Sequence, residues 1–300
     1  MKVNVVIVTW NQVALLEQCV NSVHFAASQS DVEVVAVIVD NASEPESNVH
    51  ISQLPLPADW SKVHLKQNIG YSAALNLGTR TLSNTPSDYT VLMNDDCILP
   101  QNFFSALSDH TLLTERPAII GFPLKELLKG RRRVVYGMHY WYQLSLAVPV
   151  QRPGNKNKQG FGGPIFYPCG AVIACRSDFL SGIGGVPTQN FLYFEELNLL
   201  KAAVSSEELI TLCESITIEH VGGASTSSLP RVRSAHYYST IAALRFTLAH
   251  YPIWIPTVLL ARALGTAIRM LAMVSFTPAQ SFALAIKEFF KWPTGQAARD

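Results

Sequence analysis

Val3-Asn4-Val5-Val6-Ile7-Val8-Thr9-Trp10 is apolar at nearly every position until Thr9, and Asn11 follows it. An apolar run of about six residues is short even for a signal-peptide core. It reads as a buried strand. Outward from it, Val13, Leu16, Val20 and Val23 recur at helical spacing. Val32–Val39 is a second buried strand that ends at Asp40, and a shorter one lies at Lys62–Lys66. Tyr71–Leu82 has helical periodicity. Tyr89–Met93 is a further strand, running into Asn94, Asp95 and Asp96, and Phe103–Leu113 is again helical. This alternation implies an α/β fold, with a mostly parallel central sheet flanked by helices. In such sheets ligands gather outside the carboxyl ends of the strands. Thr9–Asn11, Asp40–Ser43 and Asn94–Asp96 all occupy such ends.

The rest of the chain is less regular. Arg131–Arg133 and the polar stretch Arg152–Pro164 suggest surface loops. Val172–Cys175 and Ile210–Ile218 read as strands. Phe194–Val204, Ala235–His250 and Pro278–Lys291 read as helices. The economical division is one α/β domain over 1–230 and a C-terminal helical extension over 231–300. Within that extension Ile253–Phe276 is apolar enough to raise the question of a membrane span. Pro256 interrupts it, and Arg262 and Arg269, seven positions apart, share one helical face. A central arginine carries an insertion penalty. An amphipathic helix, packed on the domain or lying on a membrane surface, fits better.

Hydrophobic residues make up 48% of the 300 residues and charged residues 15%, which argues against disorder. Lys and Arg total 23 against 22 Asp and Glu, a net charge of +1, so a nucleic-acid partner is not expected. The five cysteines (Cys19, Cys97, Cys169, Cys175, Cys213) show no C-x-x-C spacing. That disfavours a disulfide framework or zinc site and favours a reducing, cytoplasmic compartment.

No G-x-G-x-x-G follows the first strand and no P-loop is present, which lowers the case for a dehydrogenase or an NTPase. Instead, polar groups follow several strands. Two adjacent carboxylates, Asp95 and Asp96, repel unless a cation or hydrogen bonds offset their charge. Oxygen-rich sites suit Mg2+ or Mn2+, often shared with substrate phosphates. The bland alternative is a turn before Pro100. Asp40-Asn41-Ala42-Ser43 is either a turn of short polar side chains or an acceptor for nucleoside hydroxyl and N–H groups. Asn68 and Gly70 precede a helix, where glycine permits close backbone approach. Glu195 and Glu196 follow the aromatic run Phe191–Phe194. Apolar surroundings raise a carboxyl pKa, which suits a general base; acids are also common in any first helical turn. His220 precedes Val221-Gly222-Gly223, and imidazole serves as a metal ligand or phosphate partner.

Taken in order, VIVTWNQ, VDNAS, NIGYSAALNLG, NDD, the segment from CGAVIACRSDFLSGIGGVP to FLYFEELNL, and HVGGAST resemble the inverting glycosyltransferases of family 2, with the GT-A fold. The resemblance runs from Val3 to about Ser225, and its nearest flavour is the bacterial branch of rhamnosyltransferases and other polysaccharide-building enzymes. It implies that Thr9 and Asn11 line the base pocket, largely through backbone, and that Asp40 contacts base or ribose. Asn68 and Gly70 would shape the nucleotide wall. Asp96 would contact the metal with Asp95 in support, Asn94 standing where a first Asp is common. His220 would face the metal or diphosphate. Glu196, in place of the more usual Asp, would be the general base, with Glu195 its rival.

The function this implies is inverting transfer from a UDP- or dTDP-linked sugar to a hydroxyl of a glycan or lipid-linked glycan, assisted by Mg2+ or Mn2+. The basic residues Arg262, Arg269, Lys287 and Lys291 beside apolar helices suggest peripheral membrane contact on the cytoplasmic face. Two alternatives compete: a nucleotide-sugar-binding protein with weak or no transfer, and a sugar nucleotidyltransferase. The second usually needs a Gly-rich loop with a basic residue after the first strand, where this chain reads TWNQVALLEQ.

Overall fold

The computed structural model describes residues 1–128, 131–151, 163–222, 230 and 232–292. The chain opens with β1 (Lys2–Thr9), α1 (Val13–Ser28), β2 (Glu33–Asp40), α2 (Pro45–Gln53), β3 (Ser61–His64), α3 (Tyr71–Thr81) and β4 (Tyr89–Asn94). Then come β5 (Cys97–Ile98), α4 (Phe103–Leu113), β6 (Ile119–Gly121), β7 (Leu124–Leu128), β8 (Arg131–Val135), β9 (Gly137–Trp141), β10 (Leu146–Val150), β11 (Ile165–Tyr167) and β12 (Val172–Arg176). The remainder is α5 (Ser177–Gly182), α6 (Glu195–Ser205), β13 (Ile210–Leu212), β14 (Ile218–His220), α7 (Ala235–His250), α8 (Ile255–Met273) and α9 (Thr277–Lys291).

The main sheet has seven strands in the order β13-β6-β12-β4-β1-β2-β3. β1 pairs in parallel with β2 and β4, and β2 with β3; β12 runs antiparallel to both β4 and β6. One reversed strand makes the sheet mixed within a mostly parallel frame. Because β1 is central and covered on both faces, it reads as a continuous apolar run. Val3, Val5 and Ile7 pack with Leu16, Cys19, Val20 and Val23 of α1 and with Phe103 and Phe104 of α4. Val6 and Val8 point the other way, onto Ala74 and Leu75 of α3 and Leu199 and Ala203 of α6. Each such fully buried side chain contributes roughly 1.5–3 kcal/mol. That exceeds the about 1–2 kcal/mol needed to order a backbone residue. Helix α3 lies so close to the sheet that a Cβ on Gly78 would stand 2.4 Å from Val6 Cγ1.

Two smaller sheets cover one end. One has the order β5-β14-β7-β8 and the other β10-β9-β11. Here the sequence expectations need correcting. Arg131–Arg133 is not loop but strand β8, the edge partner of β7; it carries charge because an exposed edge must resist further pairing. Ile210–Ile218 is two strands rather than one: β13 closes the main sheet beside β6, and β14 crosses to the four-stranded sheet beside β7. Helix α2 had no strong periodicity to announce it. The loop expected over Arg152–Pro164 lies outside the described residues for 152–162.

The last three helices pack on this frame. Ala242, Ala243 and Phe246 of α7 join Tyr140, Tyr167, Phe194, Leu197 and Leu200 in one core. Leu244 of α7, Val258 of α8 and Phe289 of α9 form another. Arg262 turns inward and donates from Nη2 to the Ser145 carbonyl at 3.2 Å and hydroxyl at 3.0 Å. The opposite face of α8 presents Leu260, Leu264, Ile268 and Leu271, 59–80% exposed. The segment Pro252–Met273 has the length (22 residues) and mean hydropathy (1.4) of a membrane span, though it also holds the inward Arg262.

Candidate active site

Thr9, Asn94, Asp95 and Asp96 follow from the ends of β1 and β4, which lie side by side with Val8 opposite Asn94. His220 ends β14, Asn68 precedes α3, and Glu195 and Glu196 open α6. All eight line one cavity of about 410 Å³. Residues up to 211 positions apart in the sequence therefore share one wall (Thr9 to His220). Trp10, Asn41, Tyr71, Glu126, Cys169 and Gly170 line it too.

Three of the nominated residues stand back from the cavity. Asp40 is fully buried, and its carboxylate accepts from the Ser43 amide (2.9 Å) and Asn48 Nδ2 (2.6 Å) and lies 3.1 Å from His64 Nδ1. It organises the loop after β2. Asn11 has a left-handed φ of 61° and bridges the two crevice loops: its amide donates to Ser43 Oγ (2.8 Å), and its Oδ1 accepts from the Glu44 amide (2.6 Å). Gly70, at φ 87°, meets the chain on its far side. A Cβ there would stand 2.6 Å from the Phe191 carbonyl oxygen, which accepts the Tyr71 amide at 2.9 Å. The residue facing the cavity from the VDNAS stretch is Asn41, one place beyond Asp40. Its Oδ1 accepts the Ile69 amide (3.0 Å) and its Nδ2 donates to Asn68 Oδ1 (3.0 Å), locking the loop before α3.

The acidic corner is short of partners. Asp95 and Asp96 are 2% and 5% exposed, and Asp95 Oδ2 and Asp96 Oδ1 have no hydrogen-bond partner. Burial pushes Asp95 up to about 7; the Thr9 hydroxyl pulls it back in part, and the neighbouring Asp96 charge adds a smaller rise. Asp96 Oδ2 accepts the Gly222 amide at 3.2 Å. Its Oδ1 lies 3.3 Å from His220 Nε2, a charge contact without hydrogen-bond alignment. His220 Nδ1 reaches Glu126 Oε1 at 2.8 Å. Burial alone would lower the imidazole; the Asp96 and Glu126 carboxylates beside its two nitrogens outweigh it and raise His220 to about 9. Asp96, Cys97 and His220 bring potential ligand atoms within 4.8 Å of one another. Orphaned buried carboxylate oxygens beside an imidazole suit a hard divalent cation. The Cys97 thiol is fully buried and points to the Ala171 carbonyl.

The acid pair sits on a strained approach. Tyr193 (φ 75°) and Phe194 (φ 73°) are both left-handed without being glycine. Each such residue costs of order 1–3 kcal/mol and persists only where its surroundings hold it. The Phe191–Tyr71 hydrogen bond and the packing of Phe194 on Tyr140 and Phe246 do so. Burial raises both Glu195 and Glu196 well above the ordinary carboxylate range, and for Glu195 the Glu196 charge adds to it. The helix N-terminus would favour the ionised form, but desolvation wins. Glu195 Oε1 has no hydrogen-bond partner. Gly170 leaves room beside Glu196: a Cβ there would meet Glu196 Oε2 at 3.1 Å.

Residues that sequence reasoning passed over had weak signals. Asn41 sits in the VDNAS motif beside Asp40, whose charge gives the stronger signal. Glu126 sits in LKELLKGRRR, which reads as a charged surface until strand pairing places it.

Residues 4–178 match the model of the family described as Glycosyl transferase family 2. Among solved structures, S. aureus TarS 1-349 in complex with UDP-GlcNAc is similar with a TM-score of 0.59 at 14% identity, over 96% of this chain and 80% of that one. TarS 1-349 itself has a TM-score of 0.56 at 13% identity, over 100% and 81%. The mannosyltransferase PcManGT from Pyrobaculum calidifontis, in complex with GDP-Man and Mn2+, has a TM-score of 0.52 at 15% identity, over 97% and 87%. No curated protein matches the chain.

Proposed function

The chain belongs to glycosyl transferase family 2, with the GT-A fold, and from that premise we propose that it is an inverting, metal-assisted transferase. It moves a sugar from a UDP- or dTDP-linked donor to a hydroxyl of a glycan or lipid-linked glycan, in the manner of the polysaccharide-building branch that includes rhamnosyltransferases. One observation carries this reading. A single cavity holds an acidic corner with orphaned oxygens on one wall and a desolvated acid pair on another. That is a place for a diphosphate with its cation, and beside it a base for an acceptor. The bound UDP-GlcNAc and GDP-Man of the similar structures support a nucleotide-sugar donor.

In this reading Asp96 and His220 hold Mg2+ or Mn2+, with Asp95 in support. A cation held there would supply the positive charge that offsets the departing diphosphate. Asn41 and Asn68 brace the nucleotide crevice, and Thr9 and Trp10 line it. Glu196 takes the proton of the acceptor hydroxyl, and the oxygen attacks the anomeric carbon opposite the leaving group, inverting it. Glu195, more deeply buried, holds its proton more tightly than Glu196 because of that burial and the Glu196 charge, which leaves Glu196 as the group that ionises first.

The outward face of α8 supports an acceptor held at a membrane. It is apolar from Ile253 to Leu271, while Arg262 turns inward. Apart from that inward Arg262, residues 251–292 carry the exposed Arg269, Lys287 and Lys291 but only one acid, Glu288, which pairs with Arg233. That charge suits an anionic cytoplasmic leaflet.

Thermal-shift measurements over a panel of nucleotide sugars, with and without Mn2+, test the donor assignment. A ligand that binds only the folded state raises apparent stability. A UDP- or dTDP-sugar that does so only with metal is the expected result; a panel without effect rejects the reading.

A further inference from the structure

Strand β7 sends Leu124 and Glu126 to the cavity and Lys125 to the outer face, where Lys125 meets Glu219 at 3.1 Å. Its neighbour β14 runs in parallel, with His220 directly opposite Glu126. On the other side of β14, β5 places Cys97 opposite His220, next to Asp96. The imidazole is thus gripped at both nitrogens: Nδ1 at 2.8 Å from Glu126 Oε1 and Nε2 at 3.3 Å from Asp96 Oδ1. The three side chains are 12% (His220), 24% (Glu126) and 5% (Asp96) exposed. Among the described residues Glu126 stands outside the group whose ligand atoms gather within 4.8 Å.

We propose that Glu126 is a positioning residue for the divalent cation: by accepting the Nδ1 proton of His220 it turns Nε2 toward Asp96 and holds it there. This rests on the metal-assisted reading above. A histidine without a partner on its rear nitrogen can rotate its ring and carry its proton on either atom, and both must be right for ligation. A rear carboxylate settles both and strengthens the nitrogen as a donor. The placement also explains why β7 presents an acid to a cavity already crowded with Asp95 and Asp96. The register supplies a donor for it.

The test is Mn2+ affinity, read from the electron paramagnetic resonance of free Mn2+, for the full chain alone and with UDP. Glu126→Ala is expected to weaken binding about 10–100-fold. Glu126→Gln keeps an acceptor for Nδ1–H and should stay within a few-fold of the parent. Glu126→Leu fills the volume should the alanine variant fold poorly, and should match it in affinity. In a His220→Ala background Glu126→Ala should add no further loss. A glutamine variant as weak as alanine, with the loss persisting without His220, would make Glu126 itself a ligand and overturn the proposal. Parent-like affinity in every Glu126 variant would overturn it too. If the parent takes up no Mn2+ and Asp96→Asn changes nothing, the metal-assisted reading has failed, and this role with it.

Discussion

Gly70 and Phe191 are in contact so close that a Cβ on the glycine would stand 2.6 Å from the Phe191 carbonyl oxygen. That contact couples the start of α3 to the strained turn that delivers Glu195 and Glu196. Gly70→Ala has two costs: a left-handed alanine, at roughly 1–3 kcal/mol, and displacement of the 191–194 turn. The expected outcome is a Tm several degrees lower and a loss of turnover larger than the loss of donor affinity. Calorimetry alongside initial rates checks it, and unchanged kcat would show that the turn does not set the acid pair.

Glu196→Gln removes the base while keeping the shape. Turnover should fall by about 10²–10⁴-fold with donor affinity near the parent value. Because burial raises the pair, the base must shed a proton near neutrality rather than near the usual carboxylate range. In the parent, kcat should therefore rise with pH through the neutral region. Glu195 gives up its proton only after Glu196, so Glu195→Gln should leave this limb where it is. Near-normal turnover in Glu196→Gln reassigns the base.

Asp95 links stability to pH. Its carboxyl sits at about 7 in the fold against 3.8 in the unfolded chain. The folded state binds that proton more readily, so this contribution to stability is full below about pH 4 and declines until pH passes about 7. Asparagine cannot ionise. With EDTA present, the Tm gain of Asp95→Asn over the parent should grow from pH 4 to pH 8. A gain independent of pH would mean that Asp95 is ionised without penalty.

Leu264 lies at the middle of the bare α8 face, 62% exposed. The parent should float with anionic liposomes at low salt, and Leu264→Glu should remain below while its Tm is unchanged. Equal partition of both proteins would remove the membrane from the acceptor reading.

Much of the first hundred residues was legible because its signals are local. An unbroken apolar run means a strand covered on both faces, and 3.6-residue spacing means a crossover helix; both are properties of a few neighbouring side chains. Strand ends then mark Thr9, Asn94, Asp95 and Asp96 as candidates from sequence alone. Ile210–Ile218 misled because its apolar pattern is the same whether one sheet or two receives it. Composition does not reveal that the Ser43 amide takes one oxygen of Asp40 and Asn48 and His64 the other.

Local order therefore determined the α/β alternation, the parallel frame, the strand ends and the acid pair. Tertiary structure alone decided that His220 meets Glu126 across 94 positions of sequence, that Gly70 touches Phe191, and that Asn41 rather than Asp40 faces the cavity. The physical reason is range. Periodicity is set by backbone geometry within a turn or two. A hydrogen-bond partner or a shared wall depends on strand register and sheet order, which form only when distant segments bury their apolar faces together.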